Sequence, residues 1–138
     1  MVETLDPLAD NGCFGCGAAN PHGLRLRFEL DHERREARCQ FRVGSEYQGS
    51  RGILHGGIIA LLLDETMGKL TRLHNLRAVT AELSVAYLRP IPAGEEITVI
   101  ATEASCEGKN LHFEGEIRSA GGVPLARGRG RFVAIGQA

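Results

Sequence analysis

Apolar residues recur at two different spacings along this chain. From Leu24 to Asp31, LRLRFELD, every second residue is apolar. Leu24, Leu26, Phe28 and Leu30 share one side, and Arg25, Arg27, Glu29 and Asp31 share the other. A period of two marks a half-buried strand. EARCQFRV repeats it, with Ala37, Cys39, Phe41 and Val43 inward. The charged turn DHERR joins the two, which are expected to form an antiparallel hairpin. Residues Glu46 to Gly52 read as a loop. The spacing then lengthens to that of a helix, from about Leu54 to about His74. Three strand candidates follow: RAVTAELSVAYLR, ending near Pro90 and Pro92; EEITVIATEASCE, ending in a Gly108-Lys109-Asn110 turn; and LHFEGEIRSA, ending at the hairpin signal Gly121-Gly122. VPLARGRGRFVAI is the last strand. It carries Ala126, Gly128, Gly130 and Phe132 on one face and Arg127, Arg129 and Arg131 on the other.

Glycine inside a strand marks close approach by another backbone, and a helix lying tightly on the sheet supplies that approach. The arginine face is expected to meet solvent or a neighbouring subunit, with an anionic ligand as the less favoured reading. Strand, strand, long helix and four strands in meander style predict an α+β architecture: an antiparallel sheet of about six strands wrapped around one central helix. Residues 1–23 are rich in turn formers and predict an irregular lead-in. One domain covering residues 1–138 is expected.

Sorted by face, the helix raises a chemical question. Ile59, Leu63, Thr66, Leu70 and Leu73 form the expected core stripe. A second face carries Ile58, Leu62, Glu65, Lys69 and Arg72, and Glu65 precedes Lys69 by four residues, the favourable order for an ion pair. The third face carries Gly57, Ala60, Leu61, Asp64, Gly68 and Thr71. Asp64 has no basic residue three or four positions away, so it reads either as a carboxylate tied to a strand or as a catalytic group. The helix opens with His55-Gly56-Gly57. Free N–H groups at a helix start carry partial positive charge, and glycine lets a ligand reach them. A developing oxyanion could be held there. Gly57 and Asp64 are seven residues apart, about 10 Å along the axis. One carbonyl cannot touch both, so a catalytic reading calls for two helices from two chains.

Composition narrows the choice. The formal charge is −1, which gives no basic excess for nucleic acid. No basic-then-apolar leader opens the chain, and the longest apolar run, Ile58 to Leu63, is too short to span a bilayer. A cytoplasmic protein with no membrane partner is expected, its four cysteines reduced. Cys13 and Cys16 form a C-x-x-C with His22 nearby, but zinc usually takes four ligands and no second pair exists; Cys39 and Cys106 stand alone. Packing is the favoured reading for the pair, and no metal is expected.

GILHGGIIALLLDETMG followed by AVTAELSVAYLRPIPAGEEITV resembles the hotdog-fold acyl-CoA thioesterases of the phenylacetate-pathway and 4-hydroxybenzoyl-CoA thioesterase type. The family pattern is His-Gly-Gly, an acid nine positions after the histidine, then a strand bearing Ser or Thr, then Tyr and Pro. Here these are His55, Asp64, Thr80, Tyr87 and Pro90. CFGCGAANPHGLRL is similar to a lead-in of some members. The resemblance implies an acyl-CoA substrate, no separate cofactor, and a homodimer or dimer of dimers with sites at the dimer interface. It implies Asp64 as nucleophile or general base, Gly57 N–H as carbonyl polariser, Thr80 as holder of the water or of Asp64, and His55 as support. Relatives often carry Asn or Gln six residues before the histidine; Gly49 stands there, and Gln48 is the candidate replacement. Arg89, Lys109 and the late arginines are candidates for CoA phosphates. Two other readings stand beside hydrolysis: a non-catalytic acyl-CoA-binding hotdog module, and a hotdog hydratase or dehydratase.

Overall fold

Three strands precede one helix and four follow it in the computed structural model, which describes all residues 1–138. Seven strands form one antiparallel sheet: β1 (Val2–Leu5), β2 (Phe28–Asp31), β3 (Glu36–Arg42), β4 (Leu76–Tyr87), β5 (Glu96–Glu107), β6 (Asn110–Ser119) and β7 (Pro124–Gln137). The single helix α1 (Gly56–Gly68) lies across it. This is the hotdog arrangement, α+β with one central helix.

The concave face of the sheet is apolar by alternation. Ala37, Cys39 and Phe41 of β3, Ile97, Val99 and Ala101 of β5, and Leu111, Phe113 and Ile117 of β6 are all buried. Helix α1 adds Ile59, Leu62, Leu63, Thr66 and Met67 to the same core. Glycine in β6 and β7 sets the spacing. A Cβ on Gly115 would stand 3.0 Å from Leu63 Cδ2, and one on Gly128 would stand 3.1 Å from Leu63 Cδ1. The expected close approach is therefore that of Leu63 and the helix. The opposite face of β7 pairs two of its three arginines with carboxylates: Arg127 with Glu116 at 2.9 Å and Arg131 with Glu82 at 2.7 Å.

Five expectations change. The sheet has seven strands rather than six, because Val2–Leu5 inside the supposed irregular lead-in pairs with β2. The first predicted strand is halved: Arg25 has φ 50°, a left-handed conformation that ends extended structure, so only Phe28–Asp31 is strand. The helix is shorter too, since Lys69–His74 continues as a 3₁₀ segment stopped by Asn75 at φ 53°. The core stripe also takes in Leu62 and Met67, while Leu73 is only partly buried. Finally the meander holds for β5-β6-β7 alone. Sheet order is β1-β2-β3-β5-β6-β7-β4, so β4 crosses over the helix side and pairs with β7, leaving β4 as an edge. No helix is long and apolar enough to cross a membrane.

Candidate active site

Helix α1 begins where His55 leaves extended backbone (φ −60°, ψ 133°), and the His55 side chain caps the helix. Its Nδ1 accepts the Gly57 N–H at 2.8 Å, so in this conformation the ring carries its proton on Nε2. The cap satisfies one donor that the helix start leaves free. It also means that the Gly57 N–H, expected to polarise a carbonyl, is already engaged inside the chain. Tyr87 of β4 closes the other side: its hydroxyl donates to Gly56 O at 3.0 Å, and a Cβ on Gly56 would sit 3.4 Å from its ring.

Two turns along the helix, Asp64 Oδ1 accepts a hydrogen bond from Thr80 Oγ1 at 2.6 Å. This contact depends on a break in β4. The register passes from Thr80↔Phe132 to Glu82↔Arg131, leaving Ala81 as an extra residue. A bulge of this kind re-aims side chains. Thr80 shares the inner face with Phe132, while Glu82 shares the outer face with Arg131. Asp64 is half-buried and has no cationic partner. Burial pushes its carboxyl up from the usual aspartate range, and nearby Glu65 adds to the rise; the Thr80 hydrogen bond works against both. Glu65, next in sequence, faces elsewhere: its Oε2 lies 3.9 Å from Lys69 Nζ. Thr80, His55 and Gly57 are exposed on the single chain.

The remaining expected residues do not gather here. Gln48 is tied within its own loop, its Nε2 donating to Ser45 O at 2.8 Å and its Oε1 accepting from Gly52 N–H at 2.6 Å. Both ends of the amide are thus engaged. Gly49 lies close against the histidine: a Cβ there would stand 3.1 Å from His55 Cα, a tight contact that a larger residue would relieve by a shift of a few tenths of an ångström. Arg89 and Lys109 lie at opposite ends of β7. Arg89 N–H donates to Leu125 O, and Ala134 N–H donates to Lys109 O. Nine strand residues separate those contacts, roughly 30 Å, so the two cations cannot meet one phosphate within a chain. A hollow of about 580 Å³ lies on the outer sheet face among Glu36, Arg38, Glu116, Arg118, Arg127 and Arg129. It is a furrow crossed by the ion pairs Glu36–Arg38, Glu116–Arg118 and Glu116–Arg127. Tyr87 and the β4 bulge are the parts that spacing did not supply; alternation broken between Thr80 and Leu83 was the available signal.

The sequence matches the Thioesterase superfamily over residues 51–126. It is 33% identical over 95 residues to Acyl-coenzyme A thioesterase 13 of Homo sapiens, covering 66% of this chain and 67% of that protein. It is 31% identical over 99 residues to Acyl-coenzyme A thioesterase THEM4 of Rattus norvegicus, covering 70% of this chain and 43% of that protein. The chain thus spans less than half the length of that rat relative. Among solved structures it is similar to a thioesterase superfamily protein at TM-score 0.81 and 30% identity, with 88% of this chain and 60% of the other covered. A Streptococcus mutans protein bound to acetyl CoA shares the fold at TM-score 0.72 and 17% identity, with 75% and 84% covered.

Proposed function

The chain belongs to the thioesterase superfamily, and from that premise we propose that it hydrolyses an acyl-CoA thioester to the free acid and CoA. The observation that carries the reading is the Asp64–Thr80 pair. A half-buried carboxylate with a raised pKa, no cation beside it and one hydroxyl holding one oxygen at 2.6 Å keeps its second oxygen for a substrate or a water. Acyl-CoA as the substrate class draws on the names of the relatives and on the acetyl CoA held by the Streptococcus mutans protein.

Two sequences of bonds satisfy the chemistry. As general base, Asp64 takes a proton from water while the oxygen attacks the thioester carbon; the C–S bond then breaks and CoA leaves as thiolate, regaining a proton. As nucleophile, Asp64 forms an acyl anhydride, expelling CoA, and water cleaves the anhydride. In both, the carbonyl oxygen gains charge and takes the Gly57 N–H, sharing it with His55 Nδ1 or displacing it. Because Gly57 and Asp64 lie about 10 Å apart along one axis, the two contributions come from different chains. The edge strand β4 supports that assembly: it offers twelve residues with a bare hydrogen-bonding side, a template for a second copy. Its Tyr87 is 56% exposed and Val79 49%, surfaces a partner would cover.

The test follows release of free thiol from a panel of acyl-CoAs. Asp64→Asn is expected to lower turnover at least about a hundredfold, the scale of losing a base or nucleophile. An unchanged rate rejects Asp64. Binding of CoA without any turnover by the wild type would instead mark a non-catalytic module, and conversion of an enoyl-CoA to a hydroxyacyl-CoA would mark a hydratase. Single turnover in heavy-oxygen water then tests the nucleophilic route, because label found in Asp64 requires water to attack the aspartyl carbon of an anhydride.

A further inference from the structure

The lead-in loop brings two sulfurs and a carboxylate into one small space that hydrolysis does not use. Cys13 and Cys16 sit on a tight turn, in which Gly17 N–H donates to Cys13 O at 3.0 Å and Cys13 N–H donates to Asn11 Oδ1 at 2.8 Å. A Cβ on Gly17 would lie 2.1 Å from Asn11 O, so only glycine fits. Gly15 also lies against the helix: a Cβ there would stand 2.5 Å from the Glu65 carboxyl carbon, at the movable end of that side chain. The turn is therefore pressed onto α1 at Glu65. Cys13 Sγ donates to Glu65 Oε1 at 3.3 Å, and donor atoms of Cys13, Cys16 and Glu65 all lie within 4.8 Å of one another. All three residues are partly buried.

We propose that Cys13, Cys16 and Glu65 bind a thiophilic divalent cation, zinc, which fastens the lead-in loop to helix α1. The donor types suit zinc, and a tetrahedral site places sulfur and oxygen ligands about 3–4 Å apart, a small contraction from the spacing observed. A water completes the tetrahedron. Charge balances as well. Two thiolates and a carboxylate supply three negative charges; the cation supplies two positive ones and Lys69, with Nζ 3.9 Å from Glu65 Oε2, supplies the third. Binding breaks two S–H bonds as two metal–sulfur bonds form, and both protons go to solvent with no change of oxidation state. The third donor stands 49 residues after Cys16 in sequence, which is why the lone C-x-x-C looked short of ligands.

A plain Cys13–Glu65 hydrogen bond is the competing account, and serine separates the two, since a serine hydroxyl keeps the hydrogen bond and discards the metal. The full chain is stripped with chelator under reducing conditions, given zinc, desalted and analysed for metal; cobalt replaces zinc for spectroscopy. The wild type is expected to keep about one zinc per chain, to melt at a higher temperature with zinc, and to show a thiolate-to-cobalt charge-transfer band. Cys13→Ser and Cys16→Ser lose all three signals. Glu65→Gln weakens zinc at least about tenfold, and Cys106→Ser, at an exposed cysteine, retains it. Zinc protection of Cys13 and Cys16 from alkylation in the wild type, with Cys106 reacting, gives the same answer should a variant misfold. No retained zinc, equal retention in Cys16→Ser, or a Cys13–Cys16 disulfide persisting under reductant would overturn the proposal.

Discussion

Asp64 and Glu65 are adjacent in sequence and opposite in surroundings. Glu65 meets Lys69 and Cys13, whereas Asp64 meets one hydroxyl. Burial raises the Asp64 pKa above its usual 3.8, and two outcomes follow. Hydrolysis needs the ionised form, so the acid limb of the kcat/KM profile should lie above the ordinary aspartate range. Stability runs the other way. Between 3.8 and the raised folded value, the folded chain holds a proton that the unfolded chain has released. Stability therefore falls as pH rises through that window. Asp64→Asn should thus match or exceed the wild type in urea unfolding at neutral pH, and the advantage should vanish as pH drops below 3.8. Thr80→Val removes the one hydrogen bond that favours the carboxylate. The acid limb should move further up in pH, and kcat at neutral pH should fall about tenfold or more, on the scale of a hydrogen bond to a charged group.

At the scale of elements, helix and sheet meet through glycine. Leu63 lies over Gly115 and Gly128, and Met67 lies 3.4 Å from where a Cβ on Gly130 would be. Gly128→Val should overpack this seam and cost about 1–3 kcal/mol, read from the urea midpoint. Adding Leu63→Ala should recover part of the loss, because the two residues share the space and their effects do not add. The β4 bulge acts at the same scale. It turns Thr80 inward toward Asp64 while Glu82 stays outward on Arg131.

At the scale of the whole molecule, one chain leaves its site open and β4 unpaired on one side. A composite site makes a strong prediction about mixtures. Asp64→Asn and Gly57→Pro should each be nearly inactive, the second because proline has no N–H to offer. Mixed and re-equilibrated, they should regain about a quarter of wild-type turnover, since half the dimers are mixed and each of those holds one intact site of two. A site built within one chain gives no recovery.

Much of this was legible in the chain. Period-two alternation located β3, β5, β6 and β7 within a few residues, since a strand with one wet face must alternate. The face-sorting of α1 separated Asp64 from Glu65, because a helix fixes its neighbours at three and four residues. Three things were not legible. Sheet order was decided by packing, which sends β4 past β5 to β7. The inward turn of Thr80 was decided by one extra residue in a ladder, marked in sequence only by the alternation broken between Thr80 and Leu83. The meeting of Cys13, Cys16 and Glu65 was decided by where a loop lands on a helix. Sequence by itself determines what each segment buries and which residues share a face, because those follow from fixed local geometry. Tertiary structure alone decides which distant groups meet, because loop paths and pairing depend on contacts across the whole fold.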